Sequence, residues 1–452
     1  MAPASTHKKS LAAGLLWTLW EKTLARHRRR VLFIETDAGR SFTGGALHEE
    51  IARHDELLRD FPPGARVAFC LPNGAAWIAL FLALQKRALT AVPLDSGSPL
   101  PANLALAPHL PCSALFQDSR LHPIPGVPTK PSRDKTACIK VTSGTSSGLP
   151  KLVPCRAEHL VADGTNIIRT MGLRRGDRNL AVIPLGHSYG LGNLVLPLIL
   201  QGTAIVSAAC FVPHQLGEWI RLHRATVLPS VPAIFRVLAA MPGKEKLHPL
   251  RLAISAGAPL TAEIAQAFFQ RYRLKIHNFY GSSETGGICY DRRGDSSLSG
   301  RSVGLPMKNV SVIVKRGAID VVSAAVAKPC GRWRMPDHGE WNEKGELVLL
   351  GRRGQELNVG GKKVHPAEVE QALRAITGIS DAIVWIAADS ARPVLHTAVE
   401  SCLTLADIQS ALSRQLPEWK FPKRYLIRAE FPRTLRGKTD MATLRRAMDK
   451  SC

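Results

Sequence analysis

The chain is 452 residues long and carries 60 Lys and Arg against 36 Asp and Glu, a formal net charge of +24. With 45% hydrophobic and 21% charged residues it is neither disordered, collagenous nor coiled coil, and its length excludes a small peptide-binding module. Its nine cysteines are scattered without a C-x-x-C pair, which argues against a zinc ribbon, a redox dithiol or a disulfide framework and makes a reducing cytoplasm the expected location.

Lys8 and Lys9 precede an apolar run at 11–20 that mimics a signal peptide. Glu21 and Lys22 follow at once, however, and Leu15, Leu16, Leu19, Trp20 and Leu24 recur at helical spacing, which predicts an amphipathic first helix. Arg26 and Arg28 to Arg30 read as a solvated basic helix end. From Val31 to about Leu350 short apolar strands alternate with helical stretches, for instance a strand at 66–71 before a helix through Trp77 and Leu84, and a strand at 180–185 before a helix at 191–200. Such alternation predicts α/β layers with largely parallel sheet. The apolar run 75–84 is ten residues, half of the ~20 that span a bilayer, so no transmembrane segment is expected. Residues 99–131 carry eight prolines and read as a surface loop. After Gly345 the pattern changes to short strands and two amphipathic helices, with Gly351, Gly354, Gly360 and Gly361 crowded where a hinge would lie. The expected organisation is a large layered N-terminal domain at 1–350, a hinge at 351–355 and a small α+β domain at 356–452.

Three segments carry chemistry. Thr142, Ser143, Gly144, Thr145, Ser146, Ser147 and Gly148, followed by Lys151, combine small residues that let backbone N–H groups crowd an anion with a point charge. The spacing is not the G-x-x-x-x-G-K-[ST] of a P-loop, and a flexible surface loop is the alternative. Tyr280, Gly281, Ser282, Ser283 and Glu284 close a predicted strand with an aromatic that can stack on a base and a carboxylate that can hold magnesium. Upstream, Ser255 with Ala256, Gly257 and Ala258 offers another close backbone approach.

In serial order these segments resemble the adenylate-forming superfamily of acyl-CoA synthetases, aryl-CoA ligases, luciferases and adenylation domains. The likeness covers essentially the whole chain. Leu71 to Gly74, Val92 to Asp95, Pro184 to Gly190, Val303 to Pro306, Asp337, Gly351 with Arg352, the stretch 361–370 and Thr434 to Lys438 complete the set. The resemblance implies an AMP-binding N-terminal domain, a mobile C-terminal domain, and ATP-dependent conversion of a fatty or aryl acid to an acyl-adenylate that then reacts with a thiol. It implies that Thr145, its serine neighbours and Lys151 hold the ATP phosphates, that Glu284 and Thr145 serve magnesium, and that Tyr280 lies against adenine. Asp337 and Arg352 would hold the ribose, His187 would flank the acid, and Lys438 would reach the reacting carboxylate. The thiol would be that of CoA or of the phosphopantetheine arm of an acidic carrier protein, and the +24 charge suits either.

The chain departs from the family pattern in one extra residue between Gly144 and Pro150, in Met335 and Pro336 before Asp337, in Asn358, and in a compressed stretch between Glu284 and Asp337. A specialised enzyme and an inactive relative both accommodate these changes. Gly186, Ser188 and Gly190 also spell the G-x-S-x-G of a serine hydrolase, with Asp291 or Asp337 and His338 or His365 as partners. Nucleic-acid binding rests on charge alone and is disfavoured by 6% aromatics.

Overall fold

Short apolar strands and their intervening helices assemble into two large mixed sheets in a computed structural model. It describes residues 14–106, 109–110, 112–124, 135–142, 150–208, 212–241, 246–352, 357–359, 362–364, 366–388, 393–433 and 439–450. In the nine-stranded sheet the order runs Leu305–Pro306, Gly286–Tyr290, Ile276–Ser282, Leu252–Ser255, Val227–Ser230, Arg178–Ala181, Ala204–Ser207, Val31–Glu35, Arg40–Thr43. The strands from Ile276–Ser282 to Val31–Glu35 are parallel and those outside them antiparallel. In the six-stranded sheet Ala114–Gln117, Arg66–Phe69, Thr90–Pro93 and Thr136–Thr142 are parallel, flanked by antiparallel Arg120–Pro123 and Lys151–Arg156. The parallel strands Thr90–Pro93, Ala204–Ser207, Val227–Ser230 and Leu252–Ser255 are buried along their whole length, as expected where helices cover both faces.

The helix Ala75–Lys86 is buried at every position from Trp77 to Gln85, packed beside Leu15–His27 and Gly44–Leu57. Its apolar run is therefore the centre of a core, where each large side chain contributes about 1.5–3 kcal/mol. Trp77 stacks on Phe81 with ring centroids 5.3 Å apart. No helix among the described residues is long and apolar enough to cross a membrane. The first helix, Leu15–His27, buries Leu16, Trp17, Trp20, Thr23 and Leu24, and ends in basic residues that suit its negative pole.

The proline-rich stretch is more ordered than its composition suggests. It contains the helix Leu100–Leu106 and a hairpin of Ala114–Gln117 with Arg120–Pro123. Pro101 occupies the first turn of that helix, where its missing N–H has no intrahelical partner to lose, and Pro123 ends an edge strand. The strand expected at 180–185 is the shorter Arg178–Ala181.

An antiparallel four-stranded sheet follows: Ser311–Lys315, Ala318–Val322, Arg332–Trp341, Leu347–Arg352. Beyond it, Ile379–Ala388, Pro393–Ser401 and Arg424–Arg428 form a three-stranded sheet with its own core, including Val369, Leu373, Ile408 and Leu412. Three helices accompany this sheet rather than two: Pro366–Arg374, Leu405–Ser413 and Met441–Lys450. The last is largely polar and buries only Leu444 and Met448 against Trp385, Leu426 and Phe431, so its apolar stripe is thin in the sequence. Gly354, Gly360 and Gly361 lie outside the described residues.

Candidate active site

Parallel strands send their carboxyl ends to one edge, and in open α/β sheets ligands bind in the crevice there. Arg178–Ala181, Val227–Ser230, Leu252–Ser255 and Ile276–Ser282 are neighbours of this kind. The segments leaving them carry His187, Val231, Ala256 to Ala258, and Ser283 with Glu284. Gly257 sits at φ +83, and a Cβ there would come to 3.7 Å from Val231 Cγ1. Ser230 and Ser255 are register partners at two of these strand ends; both are fully buried, and their hydroxyls have no partner among the described residues.

The other large sheet reaches the same edge through the hairpin of Thr136–Thr142 and Lys151–Arg156. Thr142 is the register partner of Lys151 and donates its hydroxyl to the Lys151 carbonyl at 3.3 Å. Ser143, Gly144, Thr145, Ser146, Ser147 and Gly148, which join the two strands, lie outside the described residues. Lys151 Nζ donates to Glu284 Oε1, which joins the two sheets. Burial alone would push the Glu284 carboxyl up, but the hydrogen bond and charge of Lys151 outweigh it, and the pKa is lowered.

Tyr280 donates its hydroxyl to Asp337 Oδ2 at 2.6 Å, linking the nine-stranded sheet to the four-stranded one. Asp337 and Arg352 are register partners on adjacent antiparallel strands. Ser282 shares a hydrogen bond of 3.0 Å with Thr285, and Ser283 one of 2.6 Å with Ser188. Gly281 pairs with Gly287, and Ser282 with Gly286, in the hairpin of Ile276–Ser282 with Gly286–Tyr290. At Gly286, φ is +68 and a Cβ would collide with Asp163, so the turn bearing Glu284 requires glycine there. His187 caps the short helix Ser188–Gly190, and its carbonyl accepts from Leu191 N at 2.7 Å as the chain enters a π-helical turn, Leu191–Val195. Such turns recur at functional sites. Lys438 lies outside the described residues; its flanks, Arg433 and Thr439, pair in an antiparallel bridge.

Two of the hydrolase candidates, Ser188 and Asp291, are engaged elsewhere. Ser188 Oγ bonds Ser283, while both Asp291 carboxylate oxygens accept from the turn at Gly294 and Ser297. The glycines have a packing reason: a Cβ on Gly186 would lie 2.9 Å from Pro93 Cβ, and one on Gly190 would strike the Pro184 carbonyl oxygen. His365 lies outside the described residues.

Several groups at the site escaped the sequence reading. Lys140 is buried and donates to the Ser283 carbonyl at 3.3 Å. Burial opposes its charge, yet Cys155, Asp163, Cys138 and Glu284 outweigh burial, and its pKa is raised. Asp163 accepts from Gly287 N at 2.9 Å, so Lys140 and Asp163 fasten the two ends of the Glu284 turn. A charged residue within an apolar strand was the available signal for Lys140. For Trp333, whose ring lies 5.2 Å from Lys151 Nζ, the sequence offered none.

A family model described as AMP-binding enzyme matches residues 105–322. The chain is 28% identical to a 2-succinylbenzoate–CoA ligase of Enterococcus faecalis, over 68% of each protein. It is 25% identical to a feruloyl-CoA synthase of an Amycolatopsis species, covering 90% of the chain and 94% of that relative. The fold superposes on an ATP-bound MatB of Rhodopseudomonas palustris with a TM-score of 0.82, at 21% identity, covering 95% of the chain and 98% of that structure. Family match and relatives agree with the order of segments in the sequence and the superposition gives the same fold: residues 105–322 match the AMP-binding enzymes, and the chain as a whole is similar to adenylate-forming CoA ligases.

Proposed function

We propose that this enzyme joins a carboxylic acid to coenzyme A in two steps. A carboxylate oxygen attacks the α-phosphorus of ATP, the bond to the bridging oxygen breaks and pyrophosphate leaves. A thiol sulfur then attacks the acyl carbon of the adenylate and AMP leaves. The two relatives are named for acids that carry an aromatic ring, which favours an aryl over a fatty acid. Their names specify CoA, an anion suited to the basic surface, and put a carrier protein second. The free cysteines among the described residues suit a reducing cytoplasm.

One observation carries the reading. The short segment from Tyr280 to Glu284, at the end of a strand of the nine-stranded sheet, is bonded to the four-stranded sheet through Asp337 and to the six-stranded sheet through Lys151 and Lys140. In the proposed roles, Tyr280 and Asp337 take the nucleoside, with Arg352 beside Asp337 and the backbone of Ala256, Gly257 and Ala258 along the base. Lys151 and the hydroxyls of residues 142–147 take the phosphates, and His187 flanks the acid. A magnesium ion fits: Glu284 is an ionised hard-oxygen donor, and its other ligands would be phosphate oxygens, water and Thr145. No group of three His, Cys, Asp or Glu side chains able to hold an ion occurs among the described residues, in keeping with a cation that arrives with its nucleotide. When bound, it would offset the charge of two anions brought together. Lys438, carried on the domain at 356–452 and swung about residues 351–355, would complete the positive field around the reacting oxygens.

The test is exchange of labelled pyrophosphate into ATP with aryl, fatty and amino acids. Exchange should depend on an aryl acid and fall about a hundredfold or more in Lys438→Ala. Ser188→Ala should retain most activity. Exchange absent with every acid would identify an inactive relative, and ester hydrolysis abolished by Ser188→Ala would revive the hydrolase.

A further inference from the structure

The compressed stretch between Glu284 and Asp337 places a second ammonium on the Trp333 ring that Lys151 also contacts. Lys328 sits on a tight turn closed by Val326 N to Ser323 O at 3.1 Å, Gly331 N to Lys328 O at 2.9 Å and Ser323 N to Gly331 O at 3.0 Å. The turn is pinned to the candidate site, because Ala327 N donates to the backbone carbonyl of Glu284 at 2.8 Å. Lys328 Nζ lies 5.4 Å from the centroid of the Trp333 ring, and Lys151 Nζ lies 5.2 Å from the same centroid. One indole therefore supports two cations.

Their charges are not balanced locally. Glu284 is engaged by Lys151, and Asp320 on the adjoining strand is held by Arg332 at 2.9 Å and Arg334 at 2.7 Å. Among the described residues no carboxylate pairs with Lys328. A cation–π contact at an exposed site is weak and leaves the charge in place. Two ammoniums and one carboxylate make a positive lobe that a multiply charged anion would complete. The position says which anion. Trp333 and Asp337 both face inward on the strand Arg332–Trp341, where the burial pattern alternates. Four residues of strand set them ~13 Å apart, so the lobe lies away from the group that takes the nucleoside and towards Lys151.

We propose that Lys328 is a second phosphate-binding cation, which with Lys151 holds the outer phosphates of ATP and the pyrophosphate that leaves; this rests on the ATP-dependent reading above. A single phosphate next to the ribose would not reach it.

Calorimetric titration of the full chain with ATP, AMP and inorganic pyrophosphate tests this in the wild type, Lys328→Ala, Lys328→Arg and Lys151→Ala. Lys328→Ala should weaken ATP and pyrophosphate about tenfold and leave AMP within about twofold, and Lys328→Arg should restore most of the loss. The exposed position of Lys328 makes loss of folding a minor concern, and unchanged AMP binding reports an intact site. If Lys328→Ala binds ATP and pyrophosphate as the wild type does while Lys151→Ala is impaired, the assignment of Lys328 fails and the ATP-dependent reading stands. A wild type that binds neither nucleotide nor pyrophosphate overturns both.

Discussion

Glu284 is held at both of its ends: its side chain accepts from Lys151 and its backbone carbonyl from Ala327. A carboxyl whose pKa is lowered keeps its charge throughout the neutral range, as a ligand for a hard cation must. Glu284→Gln keeps the shape of the side chain and removes that charge. It should lower kcat/KM for ATP about a hundredfold or more and raise the magnesium concentration needed for half-maximal pyrophosphate exchange. Equal magnesium dependence in the two proteins would remove Glu284 from the metal site. Lys140 belongs to the same scale, since a buried ammonium bonded to the Ser283 carbonyl fixes the turn from beneath without occupying the crevice.

Among elements, the amino ends of three parallel strands are bound together by Asp177. It accepts from Arg174 N at 2.6 Å, Thr226 Oγ1 at 2.8 Å and Arg251 Nε at 2.9 Å, and thus joins the segments entering Arg178–Ala181, Val227–Ser230 and Leu252–Ser255. The loops of the candidate site leave the other ends of these strands. Burial would raise the Asp177 carboxyl, but Arg251, Arg174 N and Thr226 outweigh it, and the pKa is lowered. A carboxylate with a depressed pKa in the folded state stabilises above its unfolded value, about 3.9, and that contribution is lost as pH falls through the folded value. Asp177→Asn leaves Arg251 without its counter-charge and should cost about 3 kcal/mol at neutral pH. In urea unfolding the gap from wild type should narrow from pH 7 towards pH 3; a gap independent of pH would show that packing, not charge, is what the substitution removes.

For the whole molecule, the contact of interest is Glu400, which is buried in the strand Pro393–Ser401. One carboxylate oxygen pairs with Arg236 on the helix Pro232–Ala240, and the other accepts from Arg433 at 2.8 Å, just before the segment that bears Lys438. Arg236 also donates to the Ser380 carbonyl at 3.1 Å. The C-terminal sheet is thus fastened to the helix Pro232–Ala240 by the same carboxylate that holds Arg433. Glu400→Gln should weaken this docking about tenfold, the loss of roughly one charge-assisted hydrogen bond. The readout is faster hydrogen exchange in 379–401 with unchanged exchange in the large sheets. If exchange rises uniformly, Glu400 stabilises the whole fold and not the docking.

What the sequence determined by itself is what local chemistry encodes. Alternating apolar strands and helices specified the layered α/β architecture, and the order of glycine-, hydroxyl- and carboxylate-bearing segments identified the family, because each segment is short and contiguous. The same reasoning overstated the proline-rich stretch, since Pro101 and Pro123 occupy positions that tolerate proline. Only the tertiary structure joined Lys151 to Glu284 across 133 positions, and Arg236 to Glu400 across 164. It also revealed Lys140 beneath the turn and Lys328 with Lys151 on the ring of Trp333. Pairings of this kind arise where the edges of separate sheets meet. No periodicity records them, because the chain returns to one point from distant strands whose spacing in sequence is set by everything folded in between.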